Sequence, residues 1–389
     1  MRLFPFLACL LCASLRADDA LVRKAFDHFY NLEYDESITL FQQHAAAQPG
    51  DANAHNHVAQ AVLYRELFRA GALESELVSG NNPFLRRPKI KASEQDEKTF
   101  LEAISKSMAI GQERLNRNPR EAAALYSQGV AYGLRANFLF LVKKAWMDAL
   151  RDATQARKLH NRATEADPNL IDARMVQGLH DYVVGSLQFA YKILGFLVGF
   201  RGDKEAGIKA LELVGAKGKL NQMDAQILLA AIYRRERQPQ KAIPLLKTTS
   251  ARFPRNYLLR LEMVQMFADL GDKDSALKVL EELENLKSSG SVGFNRMPVE
   301  KIYYSRGNLL FWYRDLDAAL ENLNKVTSSK ADLDLNTGAN AWLRTCQIFD
   351  LKGNRTRAME AYRQAIARAP DSDGARESRR YISTPYKRS

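Results

Sequence analysis

Apolar residues recur at spacings of three and four along most of the chain after residue 20. The runs extend over about 12 to 18 residues each, which is the pattern of amphipathic α-helices that bury one face. We find no run of alternating β-branched residues between turn dipeptides, the pattern expected of a strand. The sequence therefore predicts an all-α chain of successive helices.

Two neighbouring segments, 226–254 and 259–287, share one pattern of apolar and small residues. The matching pairs, each 34 residues apart, are Tyr233 with Phe267, Ala242 with Ala276, and Leu246 with Leu280. A constant period of this length is typical of a helical hairpin that is repeated along the chain.

At these positions the sequence resembles the tetratricopeptide-repeat (TPR) family, whose pattern places aromatic, small and proline residues at set spacings. The last unit matches it with Trp342, Cys346, Phe349, Gly353, Ala358, Tyr362, Ala365 and Pro370. The preceding unit has Tyr303, Gly307, Ala319 and Leu323, and first helices further upstream are marked by Gly129, Tyr132 and Gly178. The resemblance implies a right-handed α-α superhelix of stacked TPR hairpins, with enlarged, irregular units in the N-terminal half.

Small residues in this pattern have a packing role. Gly307 and Cys346 allow the two helices of a hairpin to approach closely, and Ala319 and Ala358 do the same from the second helix. Each hairpin has two apolar faces that it cannot bury alone, so neighbouring hairpins must stack. We therefore expect Cys346 to be a buried small residue rather than a redox or metal-binding one.

The repeats and the segments between and around them divide the chain into six predicted parts. These are a signal peptide at 1–17, N-terminal TPR-like hairpins at 18–69, a polar insertion at 70–98, enlarged TPR-like units at 99–220, regular TPR units at 221–375 and a basic C-terminal tail at 376–389. Thr345 and Arg306 stand where the family has leucine. The repeat register before residue 220 stays open.

The first 17 residues have the pattern of a signal peptide. Arg2 is followed by an uncharged stretch at 3–15, which is shorter than the about 20 residues that a membrane-spanning helix needs. Its length suits the apolar region of a cleaved signal, so we expect export to the periplasm or beyond. The alternatives are a first hydrophobic helix of the fold, or a lipid anchor on Cys9 or Cys12.

Composition supports a core-forming protein with a basic surface. Lys and Arg number 57 against 45 Asp and Glu, which gives a net charge of +12, and the basic residues cluster at 86–91, 234–237 and in the tail. Such charge suits an acidic protein partner or an anionic membrane surface. Nucleic acid is disfavoured, because no recognition motif accompanies the charge and export would separate the two.

Catalytic and metal-binding motifs are absent from the sequence. It contains no HExxH, paired CxxC, Walker or GxSxG motif. His55 and His57 are two residues apart on a predicted helix, so they point in different directions. We therefore predict no enzymatic activity, cofactor or metal. The alternative is an enzyme whose site lies between the enlarged hairpins.

The most hydrophobic internal segment is 182–200. It contains a GxxxG pattern at Gly195 and Gly199, but Gln188 and Lys192 interrupt its apolar run. We expect either an extra helix packed inside the superhelix or a helix that meets a membrane or a partner.

TPR superhelices bind partners on a concave face lined by the first helices of successive hairpins, as the resemblance implies. Counted from the small-residue positions, this face is predicted to carry Tyr126, Arg234, Lys301, Tyr304, Asn308, Arg344 and Gln347. Its cations, amides and aromatic rings suit an acidic or carboxylate-ended peptide. The predicted function is an exported, non-catalytic scaffold in a bacterial cell-envelope assembly or transport system. The alternative is a membrane-associated TPR protein that contacts lipid through 182–200 or its basic face.

Overall fold

The computed structural model describes residues 20–73, 89–186, 202–331, 333–370 and 372–388. Within these ranges every regular element is helical, which confirms the predicted all-α fold. No helix in the described part of the chain is both long and apolar enough to span a membrane. The predicted signal peptide, most of the polar insertion and most of the hydrophobic segment 182–200 lie outside the described residues.

The chain divides into two compact units, the first of which contains described residues 20–66 and 89–229. Its helices are α1 (20–30), α2 (Tyr34–Ala47), α3 (Ala52–Arg69), α4 (Glu94–Arg117), α5 (Ala122–Phe138), α6 (Trp146–Ala166), α7 (Arg174–Gly185), α8 (Lys204–Lys217) and α9 (Gln222–Arg235). The unit boundaries fall within α3 and α9. Helix α5 packs against α4 and α6, and α7 packs against α8.

The second unit contains described residues 67–73, 230–331, 333–370 and 372–388. Its remaining helices are α10 (Pro239–Arg252), α11 (Tyr257–Leu270), α12 (Lys273–Ser288), α13 (Val299–Trp312), α14 (Leu316–Thr327), α15 (Leu335–Leu351), α16 (Arg355–Arg368) and α17 (Asp373–Ser383). From α10 onward each helix packs against the next, and α13 also contacts α11 and α15. The second unit is thus a stack of helical hairpins whose first helices lie beside one another.

The short turns inside five hairpins share one backbone conformation. A single residue with positive φ follows the first helix of each, namely Leu32, Arg237, Gly271, Arg314 and Gly353. The next residue donates its N–H to a carbonyl five residues back, as Asp272 does to Phe267 at 2.9 Å and Asn354 to Phe349 at 2.8 Å. This is the Schellman arrangement, in which a left-handed residue ends the helix and glycine is preferred.

Small residues lie where paired helices approach most closely. A Cβ atom on Gly307 would lie 2.7 Å from Cγ of Leu323 on α14, and one on Gly129 would lie 2.6 Å from the His160 ring on α6. Cys346 is fully buried, and its thiol donates a hydrogen bond to the Trp342 carbonyl at 2.7 Å. Burial raises the pKa of that thiol, so it carries no thiolate at neutral pH.

The other residues of the TPR pattern occupy both the core and its edges. Ala242, Ala276, Ala319, Ala358 and Tyr362 are fully buried; Tyr233 and Gly178 are buried; Tyr132, Phe267, Trp342 and Phe349 are half-buried; and Pro370 is exposed just beyond the end of α16.

Candidate partner-binding face

Five of the predicted binding residues lie on the first helices of two successive hairpins. Lys301, Tyr304 and Asn308 belong to α13, whereas Arg344 and Gln347 belong to α15. These two helices contact each other directly.

Lys301 forms a buried ion pair between the two hairpins. Its ammonium donates to Oδ2 of Asp334 at 2.7 Å, and the two side chains are 9% and 11% exposed. Burial alone would raise the pKa of Asp334, but Lys301 and hydrogen bonds from Thr337 hold that pKa below its ordinary value. The charge of Lys301 is thus already balanced, and losing either partner would leave an uncompensated buried charge.

Arg344 brings together three of the predicted residues. Its Nε donates to Oδ1 of Asn308 at 2.8 Å, and its Nη1 donates to Oε1 of Gln347 at 2.7 Å. Both partners are neutral amides, so these bonds orient the guanidinium without neutralising it. Within the described residues, Arg344 has no carboxylate partner and its Nη2 makes no hydrogen bond.

The guanidinium of Arg344 also lies against an aromatic pair at the end of α13. Its central carbon is 5.1 Å from the ring centre of Phe311 and 5.0 Å from that of Trp312. Phe311 is fully buried, whereas Trp312 is 43% exposed. We call the surface formed by Asn308, Trp312, Arg344 and Gln347 the Arg344 face.

Sequence reasoning missed Trp312, although it follows the predicted residue Asn308 by one helical turn. The binding positions that the repeat pattern predicts on α13 end at Asn308, and Trp312 lies beyond them at the end of the helix. A half-exposed tryptophan on an otherwise well-packed helix marks a candidate binding surface, since tryptophan is enriched in binding hot spots.

The other residues predicted for this face are more enclosed than an open binding surface implies. Lys301, Tyr304, Asn308 and Gln347 are at most 7% exposed. Each hairpin packs the flanks of its first helix against the next, which buries the positions nearest the junction. The part of the face that a partner can reach therefore centres on Arg344 and Trp312.

Arg234 stands apart from the Arg344 face. It lies in the second unit near the end of α9, its side chain is 8% exposed, and its guanidinium is 3.5 Å from carboxylate oxygens of Glu262 and Asp269. Its charge is thus balanced by neighbouring α11.

Tyr126 lies in the first unit, at a cavity of about 30 Å³ that also touches Asn56, His57 and Asp224. Its hydroxyl accepts a hydrogen bond from Nδ2 of Asn221 at 2.9 Å. A cavity of this size accommodates about two water molecules, which is too little for a peptide side chain.

Burial dominates the protonation of Asp224 and His57 at this cavity. It raises the pKa of Asp224 to about 6, although hydrogen bonds with Tyr30 and Gln60 oppose the shift. It lowers the pKa of His57 to about 4. Among the described residues, no group of three or more His, Cys, Asp or Glu side chains is arranged to hold a metal.

No protein-family model matches the sequence, and no curated protein sequence matches it either. Among solved structures, the APC/C hetero-tetramer Cut9-Hcn1 is similar over 94% of this chain and 55% of the other, at 14% identity and a TM-score of 0.51. This chain therefore spans about half the length of that one. The likeness shows a shared fold of stacked helical hairpins.

Two further solved structures are similar at lower TM-scores. The human IFIT1 dimer with m7Gppp-AAAA is 14% identical in sequence. The alignment covers 94% of this chain and 84% of the IFIT1 chain, with a TM-score of 0.47. Yeast Tom70 has 12% identity, covers 95% of each chain and gives a TM-score of 0.42.

Proposed function

We propose that the chain is a non-catalytic protein-interaction scaffold that binds an acidic or carboxylate-ended peptide on the Arg344 face. The observation that carries the proposal is the guanidinium of Arg344, which is held in place by two neutral amides beside an exposed indole. A positioned cation whose Nη2 makes no hydrogen bond within the described residues is suited to a carboxylate, since charge-assisted hydrogen bonds of this kind are short and strong. Trp312 would supply apolar contact area next to it.

A binding titration tests this proposal. Short fluorescent peptides that end in acidic residues are added to the full chain, and fluorescence anisotropy reports their binding. We expect Arg344→Gln to weaken binding about tenfold, the loss of one hydrogen bond to a charged group. Arg363→Gln removes an exposed arginine from the second helix α16 and serves as the matched control. Equal affinity of the wild type and Arg344→Gln would contradict the proposal.

The same titration separates the partner classes. A neutral peptide of equal length and a short RNA oligonucleotide are tested beside the acidic peptide. Binding of RNA but not of the acidic peptide would reject the proposed partner in favour of a nucleic acid.

We further propose that the scaffold is exported and acts in a cell-envelope assembly or transport system. The support is the apolar stretch behind Arg2 and the switch to Asp18 and Asp19. Mass spectrometry of the protein from its native host should find a mature N-terminus near Asp18. Fractionation tests the membrane alternative, because recovery in the membrane fraction would favour contact with lipid over a periplasmic scaffold.

A further inference from the structure

We infer that the basic tail completes the Arg344 face by contributing Arg388 as a second guanidinium, so that a peptide carboxylate binds beside Trp312 between two arginines. The inference rests on the proposed function, which it deepens by naming a second specificity-determining residue. The sequence predicts this tail, residues 376–389, only as a basic segment.

The tail is anchored at the end of α13. The guanidinium of Arg388 donates from Nη1 to the carbonyl of Phe311 at 3.0 Å and from Nη2 to that of Trp312 at 2.7 Å. Its central carbon lies 5.1 Å from the ring centre of Trp312. The last carbonyls of a helix lack partners within that helix and carry its negative dipole end, so a cation is stabilised there.

A second anchor holds the tail on α15. The backbone N–H of Tyr386 donates to Oδ2 of Asp350 at 2.8 Å, and that carboxylate is 1% exposed. Asp350 also accepts from Arg355 at 2.8 Å and from the Tyr362 hydroxyl at 2.8 Å. The ring of Tyr386 lies 6.2 Å from that of Phe311. Two anchors on neighbouring first helices keep Arg388 in a defined position rather than in solvent.

The two guanidinium groups share one aromatic pair without an acidic partner. Arg344 and Arg388 both lie within 5.1 Å of the Trp312 ring centre. Within the described residues, neither has a carboxylate partner; their hydrogen bonds go to amide and carbonyl oxygens. Two like charges held so close to one ring repel each other, and a bound anion converts that repulsion into attraction. A carboxylate is the anion that an acidic peptide supplies.

The experiment compares two neighbouring tail residues in the peptide titration. Arg388→Gln and Lys387→Gln each remove one positive charge, but Lys387 is exposed and makes no hydrogen bond or ion pair with another described residue. We expect Arg388→Gln to weaken the binding of the acidic peptide about tenfold, and Lys387→Gln to change the affinity of that peptide less than twofold. Arg388→Lys keeps the charge but loses the two-armed contact, so its affinity should lie between those of the wild type and Arg388→Gln.

Each outcome has a separate meaning. Peptide binding that is lost in Arg344→Gln but unchanged in Arg388→Gln overturns the role of the tail and leaves the proposed function intact. Tighter binding by Arg388→Gln also overturns it, since the tail would then compete with the ligand. If the wild type binds no acidic peptide, the proposed function itself fails. Thermal unfolding of every variant confirms that the fold is retained. A comparison of peptides with amidated and free C-termini shows whether the terminal or a side-chain carboxylate is bound.

Discussion

Single residues with positive φ show how much strain the hairpin turns contain. Gly271 and Gly353 adopt this conformation without a Cβ clash, whereas Leu32, Arg237 and Arg314 adopt it at a cost. A left-handed conformation costs a residue with a side chain about 1–2 kcal/mol. The turn geometry is imposed by the packing of the two helices, since the same hydrogen bonds form with either kind of residue.

Arg314→Gly should therefore stabilise the protein. Arg314 is exposed and its φ is 65°. Relief of the backbone strain exceeds the extra freedom that glycine gains in the unfolded chain, so we expect the free energy of unfolding to rise by about 0.5–1 kcal/mol. Urea denaturation measures this change. Gly271→Ala is the control in the opposite direction and should lower stability, and a loss in Arg314→Gly would contradict the argument.

Asp224 makes stability depend on pH. Burial raises its pKa to about 6 in the folded chain, above its ordinary value, so the folded state holds a proton that the unfolded state has released. Its contribution to stability is thus complete at low pH and is lost as the pH rises from about 4 to about 6.

Asp224→Asn removes this dependence. Relative to the wild type, the free energy of unfolding of the variant should rise by about 2–3 kcal/mol between pH 4 and pH 7. His57, whose pKa is lowered to about 4, favours folding as the pH rises, but its effect cancels in the comparison. Denaturation at several pH values measures the difference, and parallel profiles for the two proteins would disprove it.

Pairs of helices show which contacts a repeat pattern encodes. The repeat pattern predicts a small residue at position 307. In the structure, a Cβ atom added to Gly307 would lie 2.7 Å from Cγ of Leu323. The pattern could not predict that Arg344 reaches Asn308, because this contact depends on how two hairpins are offset along their axes. Periodicity within a helix determines which side faces inward, whereas the offset between hairpins follows from all of their contacts together.

Gly307→Ala should lower the free energy of unfolding by about 1–3 kcal/mol, because the added methyl group overpacks the hairpin. Gly338→Ala in α15 is the matched control, since its Cβ would lie at an ordinary 3.5 Å from Leu333. That control should be neutral or stabilising by up to about 1 kcal/mol through helix propensity.

A double-mutant cycle identifies the cause of the loss. In a Leu323→Ala background the clash with Leu323 is absent and only the 3.2 Å approach to the Ala319 carbonyl oxygen remains, so Gly307→Ala should destabilise less than it does in the wild type. An equal loss in both backgrounds would show that the cost does not come from Leu323.

At the scale of the whole molecule, the sequence predicted a hairpin array from its period but not the docking of the tail. Residues 376–389 are polar and carry no repeat signature, so composition alone described them as a basic surface. Their contacts come from groups that no pattern marks as partners: the carbonyls of Phe311 and Trp312 and the buried Asp350. Helix ends and isolated buried acids acquire partners only when the fold is assembled.

Because contacts run mainly between successive helices, stability should be local. Helix α17 packs on α15 and α16, and Tyr381 and Ile382 cover the cluster around Cys346 and Tyr362. Removing residues 371–389 uncovers that apolar face, so we expect amide hydrogen exchange in α15 and α16 to accelerate about tenfold or more. Exchange in α5 and α6 of the first unit should change less than about twofold. Removing only 387–389 keeps Tyr386 and the cover in place and is the control; uniform acceleration throughout the chain would show instead that the molecule unfolds as one cooperative whole.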